Sequence, residues 1–296
     1  MITANQIVDP AFFSRLENLD LRARSIVEGF LQGRHRSPFV RYSVEFTSHR
    51  QYAPGDDVRH VNWKVYSRQK RLYVKEYDAE TNMNLYLMLD VSGSMECAQG
   101  GVSKFECGST LLAALAHLAL TQRDAVGLTL FADNVVAHLP PKSKPHYLDE
   151  LLRAIAHTTV RPESNAAWAL HQCAELARHR GMVVIVSDLF DDLSAIMEGI
   201  EHLRFRNHEV VLFHVLDCWE RDLPVDGNFR FQDMETGVEI VTRAEGIRDE
   251  YLQAVQQWRS QLDDECRNRS VDRIELTTDH PLDEALLDYL ARRTSY

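Results

Sequence analysis

Asp90, Ser92 and Ser94 stand at alternate positions inside the stretch NLYLMLDVSGSM, residues 84–95. One carboxylate and two hydroxyls at that spacing are hard oxygen donors, the set that suits a small divalent cation such as Mg²⁺ or Mn²⁺. Mg²⁺ takes six oxygens at about 2.0–2.1 Å and usually keeps waters, so a loop of three donors leaves coordination positions open to a ligand. Immediately upstream, Leu85 to Leu89 form an unbroken apolar run that ends at a Ser-Gly-Ser loop. That pattern predicts a central strand of a parallel sheet, buried on both faces. In open α/β sheets ligands sit beyond the carboxyl ends of the strands, where the three donors fall.

A magnesium ion beside carboxylates could also support phosphoryl transfer or phosphoester hydrolysis. Here Asp90 is followed by Val91-Ser92, where an aspartyl-phosphatase loop would carry a second Asp. No G-x-S-x-G elbow, H-E-x-x-H helix or phosphate-cradling G-x-x-x-x-G-K-[ST] loop occurs. The five cysteines (97, 107, 173, 218 and 266) are scattered without a C-x-x-C pair, which argues for reduced thiols rather than a disulfide frame or zinc site. The residues therefore point to a binding module and not an enzyme; a Mg²⁺-dependent phosphoester hydrolase is the alternative within catalysis.

The chain that must hold this loop has 296 residues, 45% hydrophobic and 26% charged, enough for a sizeable core. It contains no run of about 18 apolar residues and no basic-then-apolar start, so a cytoplasmic protein is expected. After the first strand, helices alternate with apolar strands. A helix is predicted over 103–122, a hairpin turning at Asp133-Asn134, helices over 145–157 and 165–180, and a strand over 182–187 that ends at Asp188. A further helix (192–207) and strand (208–217) follow. This alternation implies a doubly wound, mostly parallel sheet flanked by helices. The remainder reads as a β-hairpin about Glu235-Thr236-Gly237, a long charged helix (247–267), a strand (271–278) and a terminal helix (281–293). The division expected is an N-terminal accessory region (1–82), an α/β core (83–218) and a C-terminal extension of the same sheet (219–296).

In the accessory region, Phe12, Leu16, Leu19, Ile26, Val27 and Phe30 lie near helical spacing. Pro54-Gly55-Asp56-Asp57 is a strong turn signal between strand-like stretches at 39–46 and 71–77. Arg50, Asp56, Asp57, Arg59 and Lys64, with Trp63 as an apolar anchor, form a polar cluster. It reads either as a partner contact or as a salt-bridge network fixing the subdomain. Net charge is −11, yet residues 21–80 carry 12 Lys and Arg against 7 Asp and Glu. Nucleic-acid binding through the basic 34–75 segment is thus the rival reading, and docking of that segment on the chain's own acidic surface is the favoured one, because charges of both signs interleave there.

Asp90-x-Ser92-x-Ser94 resembles the first segment of the metal-ion-dependent adhesion site of von Willebrand factor type A domains. The stretch from Glu45 to Asn82, EFTSHRQYAPGDDVRHVNWKVYSRQKRLYVKEYDAETN, resembles the signature of the bacterial domain-of-unknown-function family fifty-eight, which couples such a region to a type A domain. The resemblance spans roughly residues 30–220. It implies a type A-like core and two further ligands: a Thr-equivalent hydroxyl from a second loop, assigned to Ser164, and the Asp that ends a later strand, assigned to Asp188. The family usually carries Gly-Thr-Asp where this chain has Glu163-Ser164-Asn165. Ser164 is also expected to cap the helix that follows. The resemblance further implies a metal whose open position accepts a carboxylate from a partner protein, and a MoxR-type AAA+ ATPase as that partner, with the chain an adaptor in protein assembly or maturation.

Overall fold

The structure, a computed structural model, describes residues 19–27, 46–51, 73–77, 83–99, 101–161, 165–233 and 237–280, together with Leu282 and Glu284. A helix over 19–27 (α1) precedes an antiparallel pair, β1 (Phe46–Gln51) and β2 (Tyr73–Tyr77). The core then runs β3 (Asn84–Asp90), α2 (Lys104–Thr121), β4 (Ala125–Phe131), β5 (Val135–Lys142), α3 (Tyr147–His157), α4 (Ala166–Leu176), β6 (Gly181–Ser187), α5 (Leu193–Phe205) and β7 (Glu209–Leu216). It continues through the short α6 (Cys218–Asp222), the hairpin β8 (Asn228–Gln232) and β9 (Glu239–Arg243), the long α7 (Ala244–Asn268) and β10 (Asp272–Thr277).

Six strands form one sheet in the order β10-β7-β6-β3-β4-β5, parallel throughout except for β5 at the edge. Pro140 and Pro141 lie in β5, and an edge tolerates residues that lack an N–H. The chain leaves β3 toward β4 and β5, then returns to β3's other side for β6, β7 and β10, so the strand order reverses at β3. That reversal opens a crevice at the carboxyl ends of β3 and β6.

Side-chain alternation along the buried strands divides the interior. Leu85, Leu87 and Leu89 face a core completed by α1, α2 and α3, while Tyr86 and Met88 face one completed by α4, α5 and α7. A strand apolar on both faces is what a sheet between two helical layers requires. Leu19, Ala23 and Val27 of α1 are buried in the first of these cores, so α1 is part of the body.

Several expected boundaries move. The helix expected over 165–180 ends at Leu176. Beyond it the Tyr86 hydroxyl donates to the His179 carbonyl at 2.9 Å and accepts the His179 N–H at 3.2 Å. A tertiary partner thus satisfies backbone that another helical turn would have paired. A strand is present at 46–51; of the stretch expected at 39–46, residues 39–45 lie outside those described. Among the described residues of the C-terminal segment, β10 alone joins the main sheet; β8 and β9 pair separately. Among the described residues, no helix is long and apolar enough to cross a membrane.

Gly181 holds the register on which the crevice depends. It pairs with Asn84, and the same ladder brings Leu89 opposite Val186 at the other end. A Cβ at Gly181 would lie 2.1 Å from the Asn84 carbonyl oxygen, backbone that cannot move aside. Gly181→Ala should therefore destabilise the fold by roughly 2 kcal/mol or more, as forced overpacking does. A urea midpoint within error of the parent's would refute this.

Candidate functional site

The loop after β3 is tied down by backbone before any side chain is considered. Val91 N–H donates to Phe131 O and Arg161 N–H donates to Val91 O, both at 2.8 Å, and Ser92 bridges Arg161. The β4 end and the loop after α3 therefore clamp residues 91 and 92. Ser92 leads into a short 3₁₀ turn, Gly93–Glu96. This turn sets Ser92 Oγ 3.1 Å from Ser94 Oγ. An octahedral ion with oxygens at about 2.0–2.1 Å places neighbouring ligands about 3 Å apart, so the two hydroxyls have the spacing of adjacent Mg²⁺ ligands.

Asp90, 2% exposed, has no cationic partner among the described residues. One carboxylate oxygen accepts the Ser92 N–H at 2.9 Å; the other accepts the Ser187 hydroxyl at 2.6 Å. Burial first, and then the neighbouring Asp188 charge, raise its pKa from 3.8 to about 7, against the hydrogen bonds that lower it. The group is a strong acceptor short of positive charge.

Asp188 follows β6 at the same edge, but its carboxylate is already engaged. Lys104, the first residue of α2 and wholly buried, places Nζ 2.6 Å from Asp188 Oδ2 and 2.6 Å from Glu220 Oε1. Burial alone would push the Lys104 ammonium toward neutrality; the charges of Asp188 and Glu220 outweigh it and hold the pKa above its ordinary value. Glu220 is raised instead, because burial outweighs its share of the one ammonium it divides with Asp188. The charged Lys104 is the secure half of this trio, since two carboxylates act on it. Losing one partner of such a buried pair costs about 3–5 kcal/mol. Behind Asp188, the buried His214 turns Nε2 to the Asp188 carbonyl at 3.2 Å and Nδ1 to Arg273 at 3.0 Å. An arginine only donates, so Nδ1 accepts and Nε2 carries the proton. Burial, then the Arg273 charge, lowers the His214 pKa well below 6.5 and keeps the ring neutral.

Of the residues expected at the site, Asp90, Ser92, Ser94 and Asp188 gather at one sheet edge, with Asp188 turned to Lys104. Ser164 lies outside the described residues, but the flanks of its loop reach the crevice: Arg161 binds residue 91, and Asn165 N–H reaches Ala132 O at 3.4 Å. The cap of α4 is Asn165, not Ser164, its side chain accepting the Trp168 N–H at 3.0 Å. Arg50 lies in β1 with its side chain undescribed, and Asp56, Asp57, Arg59, Trp63 and Lys64 fall outside the described residues. Among the described residues no cluster of three or more His, Cys, Asp or Glu forms a cation cage, so the donor set here is rich in hydroxyls. Sequence reasoning missed Lys104, Ser187, His214 and Glu220. Lys104 did leave a signal: a lysine opens an otherwise apolar helix, at the end where the helix dipole disfavours positive charge.

Residues 48–261 match a family described as a protein of unknown function, DUF58. Uncharacterized proteins of Mycobacterium tuberculosis and Mycobacterium bovis are each 26% identical over 291 residues, covering 97% of this chain and 91% of theirs. Among solved structures, the conserved hypothetical protein BatB from Bacteroides thetaiotaomicron aligns with a TM-score of 0.45 at 17% identity, over 72% of this chain and all of that one. An aerotolerance-related membrane protein from Bacteroides fragilis aligns at 0.47 and 16%, over 71% and 99%.

The raised Asp90 carboxyl has a consequence with a definite sign. The folded chain retains a proton that the unfolded chain releases above about pH 4, so this group's contribution is greatest at low pH and is lost as pH rises toward about 7. Without added divalent metal, the melting temperature of the parent minus that of Asp90→Asn should fall steadily from pH 4.5 to 7.5. A pH-independent difference would mean that the Asp90 carboxyl is not raised.

Proposed function

The chain belongs to the DUF58 family, and we propose that it is a metal-dependent protein-interaction module built on a von Willebrand factor type A-like core. The observation that carries this reading is the pair of serine hydroxyls 3.1 Å apart, beside a buried carboxylate with no cation of its own among the described residues. The sheet order, with its single antiparallel edge strand, supports the type A assignment. Asp90, Ser92 and Ser94 are the residues that would hold Mg²⁺ or Mn²⁺, with Ser164 as the further hydroxyl. The bound ion would present an open position to a carboxylate of the partner.

The chain's own part is to position and to exclude water. Ser187 and the Ser92 N–H orient the Asp90 carboxylate, and the clamp from β4 and Arg161 holds the serines in place. Trp168 in the first turn of α4 and Phe190 two residues beyond Asp188 remain 57% and 48% exposed beside the crevice. Asp191 joins these two flanks by accepting the Ala166 N–H at 3.1 Å. Large apolar side chains around a charged centre are what a protein partner anchors on. The class of partner proposed is a MoxR-type AAA+ ATPase, on the strength of the family resemblance. Ser187 does donate to the Asp90 carboxylate, but its hydroxyl is wholly buried and out of a substrate's reach, so recognition rather than catalysis is proposed.

Calorimetric titration of Mg²⁺ and Mn²⁺ into the parent and Asp90→Ala tests the metal. Saturable binding by the parent, weakened at least about tenfold in the variant, is expected, because a charged ligand is lost. Absence of binding by the parent, together with partner capture that a chelator does not change, would sink the reading. Trp168→Ala and Phe190→Ala should each weaken capture of the ATPase by about tenfold at unchanged metal affinity, as interfacial anchors do. Capture equal to the parent's would remove these residues from the interface.

A further inference from the structure

We propose that Lys104 is a tethered cation that takes Asp188 out of metal coordination, leaving a divalent ion to the loop of Asp90, Ser92 and Ser94. The proposal rests on the metal reading of that loop and concerns how the site is tuned. Its Nζ is 2.6 Å from an oxygen of each of two carboxylates, Asp188 and Glu220, and 5.0 Å from the centre of the Phe190 ring. The side chain is 0% exposed. An ammonium has three hydrogens. Two point to carboxylates and the third can face the ring, so every donor is used inside the protein.

Three features make this a built arrangement. A lysine at the first position of a helix opposes the helix dipole, and the two carboxylates offset that disadvantage. Asp188 turns its other oxygen inward as well, toward the Phe190 N–H at 3.4 Å. Glu220 is itself locked, its second oxygen accepting the Asp217 N–H at 2.9 Å within a capping box. Both carboxylates that face Lys104 are thus held by backbone as well as by the ammonium.

A divalent ion on Asp188 would sit a few ångströms from the ammonium, in a pocket where water does not screen their repulsion. The loop must then bind its metal with one negative ligand, Asp90, rather than two. A site so arranged has low affinity alone and gains most from an incoming carboxylate. Lys104 thereby makes metal retention depend on the partner.

The test is Mn²⁺ affinity measured on the full chain, by the electron paramagnetic resonance signal of free Mn²⁺, for the parent, Lys104→Met, and the double variant Lys104→Met with Asp188→Asn. Removing the ammonium should tighten Mn²⁺ binding about tenfold or more, because a repulsive charge goes and a carboxylate becomes available. The double variant should lose that gain. A Lys104→Met protein that binds no tighter than the parent would overturn the proposal, and so would a gain that survives without Asp188. Asp90→Ala, run alongside, reports separately on the metal loop. If the parent binds no Mn²⁺ and a chelator leaves partner capture unchanged, the loop reading fails, while Asp188-dependent binding gained by Lys104→Met would still identify Lys104 as the resident cation. Binding by neither, with capture likewise unchanged, would overturn both. Lys104→Gln keeps a donor for Asp188 and carries the comparison should Lys104→Met prove too unstable to purify. The rise in melting temperature on adding Mn²⁺ is the second readout.

Discussion

Carboxylates buried at the end of a parallel sheet must each find a donor, a proton or a cation, because an uncompensated charge in a dry interior is prohibitive. Asp90, Asp188 and Asp217, at the ends of three adjacent strands, are all 2% exposed or less. They meet the constraint in three ways. Asp217 is satisfied by dipoles, accepting the Trp219 N–H at 2.8 Å and the Thr278 hydroxyl at 3.2 Å. Asp188 takes the ammonium of Lys104. Asp90 takes an amide and a hydroxyl, and burial and the neighbouring charge favour its protonated form. Asp90 has the same two kinds of dipole as Asp217 but also the Asp188 charge acting on it and, among the described residues, no cation, and it is the one beside the paired serines. At this sheet edge the carboxylate without a described cation is therefore marked by its electrostatics as well as by its motif.

The scaffold that enforces this arrangement is spread over the chain. The close approach of Gly181 to Asn84 sets the β3–β6 register, and six residues further on that register lays Ser187 against Asp90. The long α7 buries little of itself, but its contacts fall on the site's supports. Tyr251 donates to the Glu220 carbonyl at 2.7 Å, and Trp258 lies against both Phe190 and His214. Arg273 of β10 holds the neutral His214 that in turn braces the Asp188 carbonyl. The C-terminal segment thus acts as a buttress for the β6 loop, although none of its described residues supplies a donor to the serine pair.

Much of the scaffold was legible in the residues. Apolar runs such as Leu85–Leu89 and Met182–Val186, interrupted by helical periodicity, imply an α/β sheet with two covered faces, and those strands are where that pattern puts them. Asp90 and Asp188 could be placed together because Asp90 follows one such run directly and Asp188 follows the other after Ser187. Helix ends were less legible. The stop of α4 at Leu176 depends on the Tyr86 hydroxyl, a partner about 90 residues away in sequence that no local pattern encodes. The α4 cap fell to Asn165 although Ser164 was as good a candidate by type, because cap preference ranks residues but backbone geometry chooses the position.

Sequence by itself determined the donor types, the strand-then-loop setting of Asp90-x-Ser92-x-Ser94 and the layered fold around it, because alternation and apolar runs are local consequences of burying strands between helices. Tertiary structure alone decided the charge economy of the site. Lys104, Asp188 and Glu220 are separated by 84 and 116 residues from the lysine, and only the folded sheet brings them to 2.6 Å. Which buried carboxylate keeps a cation of its own and which has none among the described residues follows from that juxtaposition, since Coulomb attraction in a dry pocket depends on distance in space and not along the chain.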